Sequence, residues 1–238
     1  MILHGIESPN IYKQNSLTQN IRDIQEKDRY DIILANPPFG GKEKEQVQQN
    51  FPVKSNATEL LFLQLFMKSL TKEGTAGIVF PEGILFQANN AFAEVKKTLL
   101  EDFNVHTIVS LPAGVFLPYS GVKTNIVFFS RRGRTQSIWY YEVNPSYKLT
   151  KNKPIASEHF SEFLDLYHHL EKRGKDCANE WTVMATDLKA YDLSAKNPHK
   201  VVDEDHLPPK ELLHLIRSNE KQVNGLMNEV EELLSHKP

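Results

Sequence analysis

Short apolar runs alternate with longer amphipathic stretches over the first 130 residues, and this alternation predicts an α/β sheet. Apolar or β-branched runs typical of buried strands occupy residues 30–35, 76–80, 105–111 and 124–129, and a weaker strand is predicted over 10–14. Residues 58–70 are apolar on nearly every side and predict a buried helix that ends at Gly74. A second helix is predicted from a cap at Asn89 or Asn90 to Asp102.

A basic turn after the last of these strands indicates that the next strand pairs in an antiparallel direction. Residues 131–134 form an Arg-Arg-Gly-Arg segment, and residues 138–143 return as a further apolar run. A turn between two such runs predicts an antiparallel hairpin at the edge of the sheet. Residues 147–208 show a mixed pattern, in which residues 191–198 are predicted to be a loop.

The C-terminal segment has a different period. Its apolar positions follow a 4-3-4-3 spacing with one polar residue in the seam, namely Leu212, Ile216, Asn219, Val223, Leu226, Val230 and Leu233. This spacing predicts a helix, either a coiled-coil or partner helix or an amphipathic helix packed on its own domain. The predicted division is therefore residues 1–146, a mixed extension over 147–208, and a heptad helix over 209–238.

Composition bears on whether the chain is a membrane, secreted or cytoplasmic protein. The 238 residues are 40% hydrophobic and 24% charged, no apolar run reaches 18 residues, and the first residues do not resemble a signal peptide. The single cysteine, Cys177, cannot form an internal disulfide, so a reducing, cytoplasmic location is expected.

Charge is unevenly distributed along the chain. The net charge is −2, but residues 122–153 hold seven basic residues against one acid, whereas residues 203–238 hold four against eight. A basic middle and an acidic tail favour different partners for different parts of the chain.

The sequence Asn36-Pro37-Pro38-Phe39 follows the first strong strand, where open α/β sheets bind ligands. An exocyclic amine is a poor nucleophile until both its hydrogens are held by acceptors. The Asn36 side-chain oxygen and the Pro37 carbonyl can serve as those acceptors, because consecutive prolines fix the backbone direction. Phe39 offers a flat face for a base rotated out of a duplex. The alternative is a rigid turn that only ends the strand. No His/Cys metal cluster is evident, since His168 and His169 are adjacent and do not share a helix face.

Several segments in order resemble the methylation (M) subunit of type I restriction–modification enzymes, which are N6-adenine DNA methyltransferases. The similar segments are residues 31–41 with the Asn-Pro-Pro-Phe motif, 3–6 with 15–17, 77–86, 111–116, 121–129 and 191–198. The resemblance implies a partial Rossmann-like methyltransferase sheet with an antiparallel hairpin, followed by a C-terminal helical tail. It also implies S-adenosylmethionine as cofactor, and DNA together with specificity (S) and restriction (R) subunits as partners.

The resemblance assigns roles to particular residues. Asn36, Pro37, Pro38 and Phe39 would be the catalytic set, and Asn15 would meet the adenine of the cofactor. The target-base pocket would contain Phe116 and Thr124, for which core packing and strand propensity are the alternatives. DNA phosphates would be contacted by basic residues that could equally be a solvated turn, namely Lys123, Arg131, Arg132 and Arg134.

The chain departs from the family pattern in one respect. No G-x-G follows a strand, and no acidic residue is found in the position expected to bind the cofactor ribose. We therefore expect weak or absent cofactor binding by these 238 residues. We also expect the 30–35 strand to be an exposed apolar edge that favours pairing with another chain. The polypeptide is therefore expected to self-associate or to be one piece of a larger or split protein. Two other functions remain open: methylation of a protein glutamine or an RNA base, and a non-catalytic fragment that acts only in subunit interaction.

Overall fold

The computed structural model describes residues 5, 13–174, 177–200 and 209–235, and it contains two units, Met1–His199 and Lys200–Pro238. The first unit is built on a six-stranded mixed sheet of order β1-β2-β4-β3-β5-β6. The strands are β1 Tyr30–Ala35, β2 Leu70–Pro81, β3 Asn104–Leu111, β4 Thr124–Ser130, β5 Ser137–Glu142 and β6 Glu180–Met184. β1 pairs with β2, and β3 with β5, in parallel, whereas the β2–β4, β4–β3 and β5–β6 pairs are antiparallel.

Helices cover both faces of this sheet. They are α1 Glu45–Gln48, α2 Thr58–Ser69, α3 Gly83–Phe86, α4 Asn90–Asp102 and α5 Ser161–His168, with short 3₁₀ turns between them. Alternate residues of β5 enter different cores, as the two-residue period of a strand requires. Ile138 and Tyr140 pack with α2 and α4, whereas Trp139 and Tyr141 pack with α5. The second unit contains α6, Pro209–Ser235, which confirms the predicted C-terminal helix.

Most predicted elements are confirmed, including the Asn89 cap, whose side chain accepts a hydrogen bond from the Phe92 N–H at 3.2 Å. The predicted helix end at Gly74 is wrong. β2 begins at Leu70, directly after α2, and continues through Gly74. The weak strand predicted over 10–14 lies largely outside the described residues, and Lys13 and Gln14 are not in a strand.

The predicted hairpin of residues 124–129 and 138–143 is also wrong, although the sheet does contain antiparallel pairs. β3 lies between β4 and β5 and pairs with both, antiparallel to β4 and parallel to β5. The short segment 131–136 therefore crosses the amino end of β3 instead of making a hairpin turn. Strand periodicity predicts which residues are extended, but it does not predict which strands are neighbours.

β1 forms one end of the sheet, and its only strand partner among the described residues is β2. The residues of β1 that face α2 and α4, Ile33 and Ala35, pack against the core. On the opposite face, Ile32 is 71% and Leu34 is 78% exposed. The apolar run alone predicts a buried strand, and that prediction is wrong for this face, whereas the expected exposed apolar edge is confirmed.

The 1–146 and 147–208 boundaries stay a prediction. No helix within the described ranges is both long and apolar enough to cross a membrane.

Candidate active site

An open cavity of about 820 Å³ lies at the carboxyl ends of the parallel strands β1 and β2. One wall is the loop that leaves β1, and the other comes from the segments after β2 and β3. The lining includes an amide, two prolines, an acid and three aromatic residues, namely Asn36, Pro37, Pro38, Glu59, Phe39, Phe116 and Tyr119. The position agrees with the rule that open α/β sheets bind ligands beyond the carboxyl ends of their strands.

The loop after β1 is held by the first turn of α2. Gly40 has a φ of +72°, which glycine adopts without strain, and its N–H donates to the carboxylate of Glu59. The Thr58 N–H in turn donates to the Gly41 carbonyl at 3.1 Å. Glu59 is a buried acid whose side chain therefore has a partner on the loop. These contacts fix the backbone that follows Asn36, Pro37 and Pro38.

Two of the predicted aromatic residues meet in this cavity. The rings of Phe39 and Phe116 lie edge to face, with centroids 5.3 Å apart and planes at 80°. This arrangement is favourable for aromatic pairs, and it joins the β1 loop to the segment after β3. The cavity therefore has an apolar, aromatic side beside the Asn-Pro-Pro backbone, which is suited to a planar base.

Thr124 and Lys123 lie beside the cavity but do not line it. Thr124 is fully buried at the start of β4, opposite Pro81 and Leu111, and its hydroxyl has no hydrogen-bond partner among the described residues. Lys123 forms an ion pair of 3.0 Å with Glu82, and both side chains are partly exposed. Lys123 follows Val122, which does line the cavity, and its contact with a phosphate stays a prediction.

Asn15 does not reach the cavity. Its side-chain oxygen accepts a hydrogen bond from the Leu17 N–H at 3.0 Å, and its amide donates to Glu43 at 3.4 Å. Both contacts are local or on the surface, and the adenine-binding role of Asn15 stays a prediction.

The three arginines of the 131–134 segment lie at the other end of the sheet. They follow the carboxyl end of β4, while Lys123 precedes its amino end, so roughly 20 Å of strand separates the two groups. Arg131 donates to the Leu70 carbonyl at 3.0 Å and stands over the Phe103 ring. Arg132 pairs with Glu73, and Arg134 is exposed. The four predicted DNA-contacting cations therefore do not form one surface.

Sequence reasoning missed Tyr119 and Glu59. Tyr119 lines the cavity and is 94% exposed, so its ring is available to a ligand at the entrance. It lies between two segments that the sequence singled out, residues 111–116 and 121–129, and an aromatic residue in such a linker was the available signal. Glu59 belongs to an apolar helix, and the role of its carboxylate is evident only from the hydrogen bond that it accepts from the Gly40 N–H.

The family model for N-6 DNA Methylase matches residues 1–206. The methylase subunit of the type I restriction enzyme EcoEI from Escherichia coli is 36% identical over 248 residues, covering 98% of this chain and 49% of that protein. The EcoKI methylase subunit of Escherichia coli K12 is 28% identical and covers 68% of this chain and 32% of its own length.

Solved structures agree with these sequence relatives. One, from work on complex assembly and conformational transition of the type I R-M system, is 42% identical with a TM-score of 0.79, covering all of this chain and 51% of the other. The EcoKI M protein shares the fold, with 21% identity, a TM-score of 0.65, and coverage of 91% and 53%. This chain belongs to the N-6 DNA Methylase family, and it spans about half the length of its type I methylase relative EcoEI.

Proposed function

We propose that this chain is part of a type I methylation subunit that transfers a methyl group from S-adenosylmethionine to the N6 amine of adenine in DNA. The observation that carries the proposal is the position of the Asn36-Pro37-Pro38-Phe39 loop. It forms the wall of a cavity at the carboxyl end of a parallel strand, opposite a second aromatic residue. Family membership supports DNA as the substrate over a protein glutamine or an RNA base.

Each residue of the loop has a defined task in this proposal. The Asn36 side-chain oxygen and the Pro37 carbonyl accept the two hydrogens of the adenine amine, which frees the nitrogen lone pair to attack. Because the prolines and the Gly40–Glu59 contact fix the loop, these acceptors are oriented before the base arrives. Phe39 stacks on the base after it leaves the duplex, and Phe116 supports Phe39 from the side.

The cofactor fits this site only in part. S-adenosylmethionine would supply the methyl group on a sulfonium, next to the amine held by Asn36. The chain offers no glycine loop for close approach of the cofactor, since no G-x-G follows a strand. We propose that these 238 residues alone bind the cofactor weakly, so we derive no step beyond the positioning of the amine.

Two surfaces are proposed to meet partners. The exposed face and edge of β1 favour pairing with another chain, either a second copy or a different polypeptide. The exposed apolar residues of α6, including Leu212, Ile216, Val223 and Leu226, favour a helix of a specificity or restriction subunit. A cytoplasmic location, proposed from the single cysteine, is consistent with action on DNA. A role restricted to subunit interaction is the second candidate, and the β1 face is the observation that favours it.

The test is transfer of a tritiated methyl group to DNA at millimolar cofactor, which occupies part of a weak site. We expect slow formation of N6-methyladenine, loss of at least a hundredfold in Asn36→Ala, and an unchanged rate in Asn152→Ala, which alters an exposed asparagine in a surface turn. Label on another base or on protein, or an unchanged rate in Asn36→Ala, would contradict the proposal. No transfer by the wild-type chain at millimolar cofactor would favour the interaction role.

A further inference from the structure

A second cavity, of about 630 Å³, opens at the end of the sheet opposite to the Asn36 cavity. It lies where β3 and β5 begin and where β4 ends, and the 131–136 crossing forms its rim. β3 runs between the two ends and has eight residues, so roughly 25 Å separates the two cavities. One ligand molecule the size of a base or a cofactor cannot occupy both.

The lining of this cavity is cationic. Three arginines, Arg132, Arg134 and Arg173, line it together with polar side chains, and none of the lining residues in the described part of the chain is acidic. His106 also lines it, but burial, followed by the charge of Arg173, lowers the pKa of its imidazole below the ordinary value. Donors from neutral side chains are also present, namely Asn104, Gln136, Ser137 and Thr182. A concave surface with several guanidinium groups and no carboxylate is suited to phosphate, which arginine binds with two parallel hydrogen bonds.

Arg173 is held in place before any ligand binds. Its guanidinium carbon lies 3.6 Å from the centroid of the Trp139 ring, and its Nε donates to the Leu166 carbonyl at 2.9 Å. The Trp139 ring is itself fixed, because its Nε1 donates to the buried Glu180 carboxylate at 2.6 Å. A cation fixed on an aromatic face loses little conformational entropy when an anion binds.

The two rim arginines are available to a ligand. Arg134 is exposed and makes no hydrogen bond or ion pair with any residue that the structure describes. Arg132 pairs with Glu73 at 3.1 Å, but the side chains are 60% and 78% exposed, and such surface pairs contribute little. A phosphate can therefore replace Glu73 as the partner of Arg132.

We propose that this cavity is a phosphate-binding site, separate from the proposed methylation site, with Arg134 and Arg173 as its principal contacts. The phosphate belongs either to a nucleic-acid backbone or to a free nucleotide or polyphosphate. A backbone phosphate would place a second stretch of nucleic acid on the side of the subunit away from the target base. The proposal does not rest on methyl transfer, because binding here involves none of the residues around Asn36.

Trp139 reports on the site directly. The chain has two tryptophans, and Trp181 stacks on Tyr140 in the other core, so Trp181→Phe leaves Trp139 as the single tryptophan. In that background we would titrate inorganic pyrophosphate, then single-stranded and duplex oligonucleotides, and confirm each titration by calorimetry. We expect saturable binding of pyrophosphate by the wild type and a dissociation constant at least tenfold larger in Arg134→Gln. Arg22→Gln changes an exposed arginine elsewhere and should leave the dissociation constant unchanged.

Competition between the ligands identifies the source of the phosphate. Oligonucleotides that displace pyrophosphate, with an affinity that falls steeply with salt, indicate a nucleic-acid backbone. Displacement by nucleotides but not by oligonucleotides indicates a free ligand. Absence of saturable pyrophosphate binding by both methods, or equal binding by Arg134→Gln, overturns the proposal. Because Asn36→Ala is expected to bind pyrophosphate normally, either result leaves the proposed methyl transfer to be judged separately.

Discussion

At the scale of single residues, the close contact between Gly41 and Thr58 holds the candidate active-site loop against α2. A Cβ on residue 41 would overlap the Thr58 hydroxyl and stand 3.0 Å from the Thr58 Cβ. We expect Gly41→Ala to lower the free energy of unfolding by about 1–3 kcal/mol, because the loop and α2 must separate. Urea unfolding measures this change. Gly121→Ala is the matched control, since no atom lies within 4 Å of its added Cβ, and an equal loss in both variants would refute the explanation.

The contact between Tyr141 and Glu162 makes stability depend on pH. The buried Tyr141 hydroxyl donates to Glu162 at 2.6 Å, and this bond, followed by one from Asn179, lowers the pKa of the Glu162 carboxyl below its ordinary value of 4.5. A lowered carboxyl pKa means that the stabilisation is complete above pH 4.5 and is lost as the pH falls through the lower, folded-state value.

We therefore expect Tyr141→Phe to reduce the free energy of unfolding by about 1 kcal/mol at pH 7, since hydrogen bonds to charged groups are stronger than average but this carboxylate is exposed. The difference from wild type should shrink as the pH falls below 4.5. Denaturant unfolding between pH 3 and pH 7, measured for both chains, tests this. Tyr147→Phe removes a bond to the neutral Pro154 carbonyl and should show no such pH dependence. A difference in Tyr141→Phe that stays constant across this range would contradict the assignment.

Residue-level prediction from sequence was best where the chemistry is local. The Asn89 cap and the glycine-containing loop after Asn36 follow from short-range rules. The family pattern singled out Phe39 and Phe116 separately, and their ring contact is a finding of the structure. Glu59 could not be predicted, because its role depends on the orientation of α2 against a loop 19 residues earlier in the chain.

At the scale of elements, the positions of the strands along the chain were predicted better than the pairing between strands. The runs over 30–35, 105–111 and 124–129 correspond closely to β1, β3 and β4. The predicted β4–β5 hairpin is wrong because β3 lies between those two strands. The pairing of β3 with β4 and β5 joins residues that are distant in sequence, so a local pattern does not predict it. The helix end was wrongly predicted at Gly74 because no loop separates α2 from β2. Gly74 lies instead where the β1–β2 register shifts, between the pairs Tyr30–Leu70 and Ile32–Thr75.

The β1 edge gives the prediction that belongs to this scale. Ile32 and Leu34 are apolar, exposed and next to an edge whose only described strand partner is β2. We expect the wild-type chain to self-associate in a concentration-dependent manner, and Ile32→Lys to weaken that association at least tenfold, because a charge on an exposed strand opposes pairing. Sedimentation velocity measures both. Lys27→Glu, a charge change in an exposed turn, is the control, and a wild-type chain that stays monomeric at all concentrations would refute the prediction.

At the scale of the whole molecule, two cavities with different linings lie at opposite ends of the sheet. Its carboxyl-end cavity is aromatic and contains the Asn-Pro-Pro acceptors, whereas its other cavity is lined by arginines. Net charge gave no hint of this separation, because a value of −2 averages over the basic middle and the acidic tail. The segments that carry the family resemblance include residues that line the first cavity, among them Asn36 and Phe116. The second depends on the crossing over β3, so it became visible only in three dimensions.

The cofactor affinity of these 238 residues is the prediction that concerns the molecule as a whole. The Asn36-Pro37-Pro38 loop that is proposed to hold the amine lines a cavity, but no G-x-G follows a strand, and β1 has no described partner on its open side. We expect a dissociation constant for S-adenosylmethionine weaker than about 1 mM, equivalent to a binding free energy smaller than about 4 kcal/mol. Calorimetric titration should therefore give no saturable heat at micromolar cofactor, for both wild type and Asn36→Ala. Micromolar binding by the wild type would disprove weak affinity, and its dependence on protein concentration would then show whether a second copy across the β1 edge completes the cofactor site.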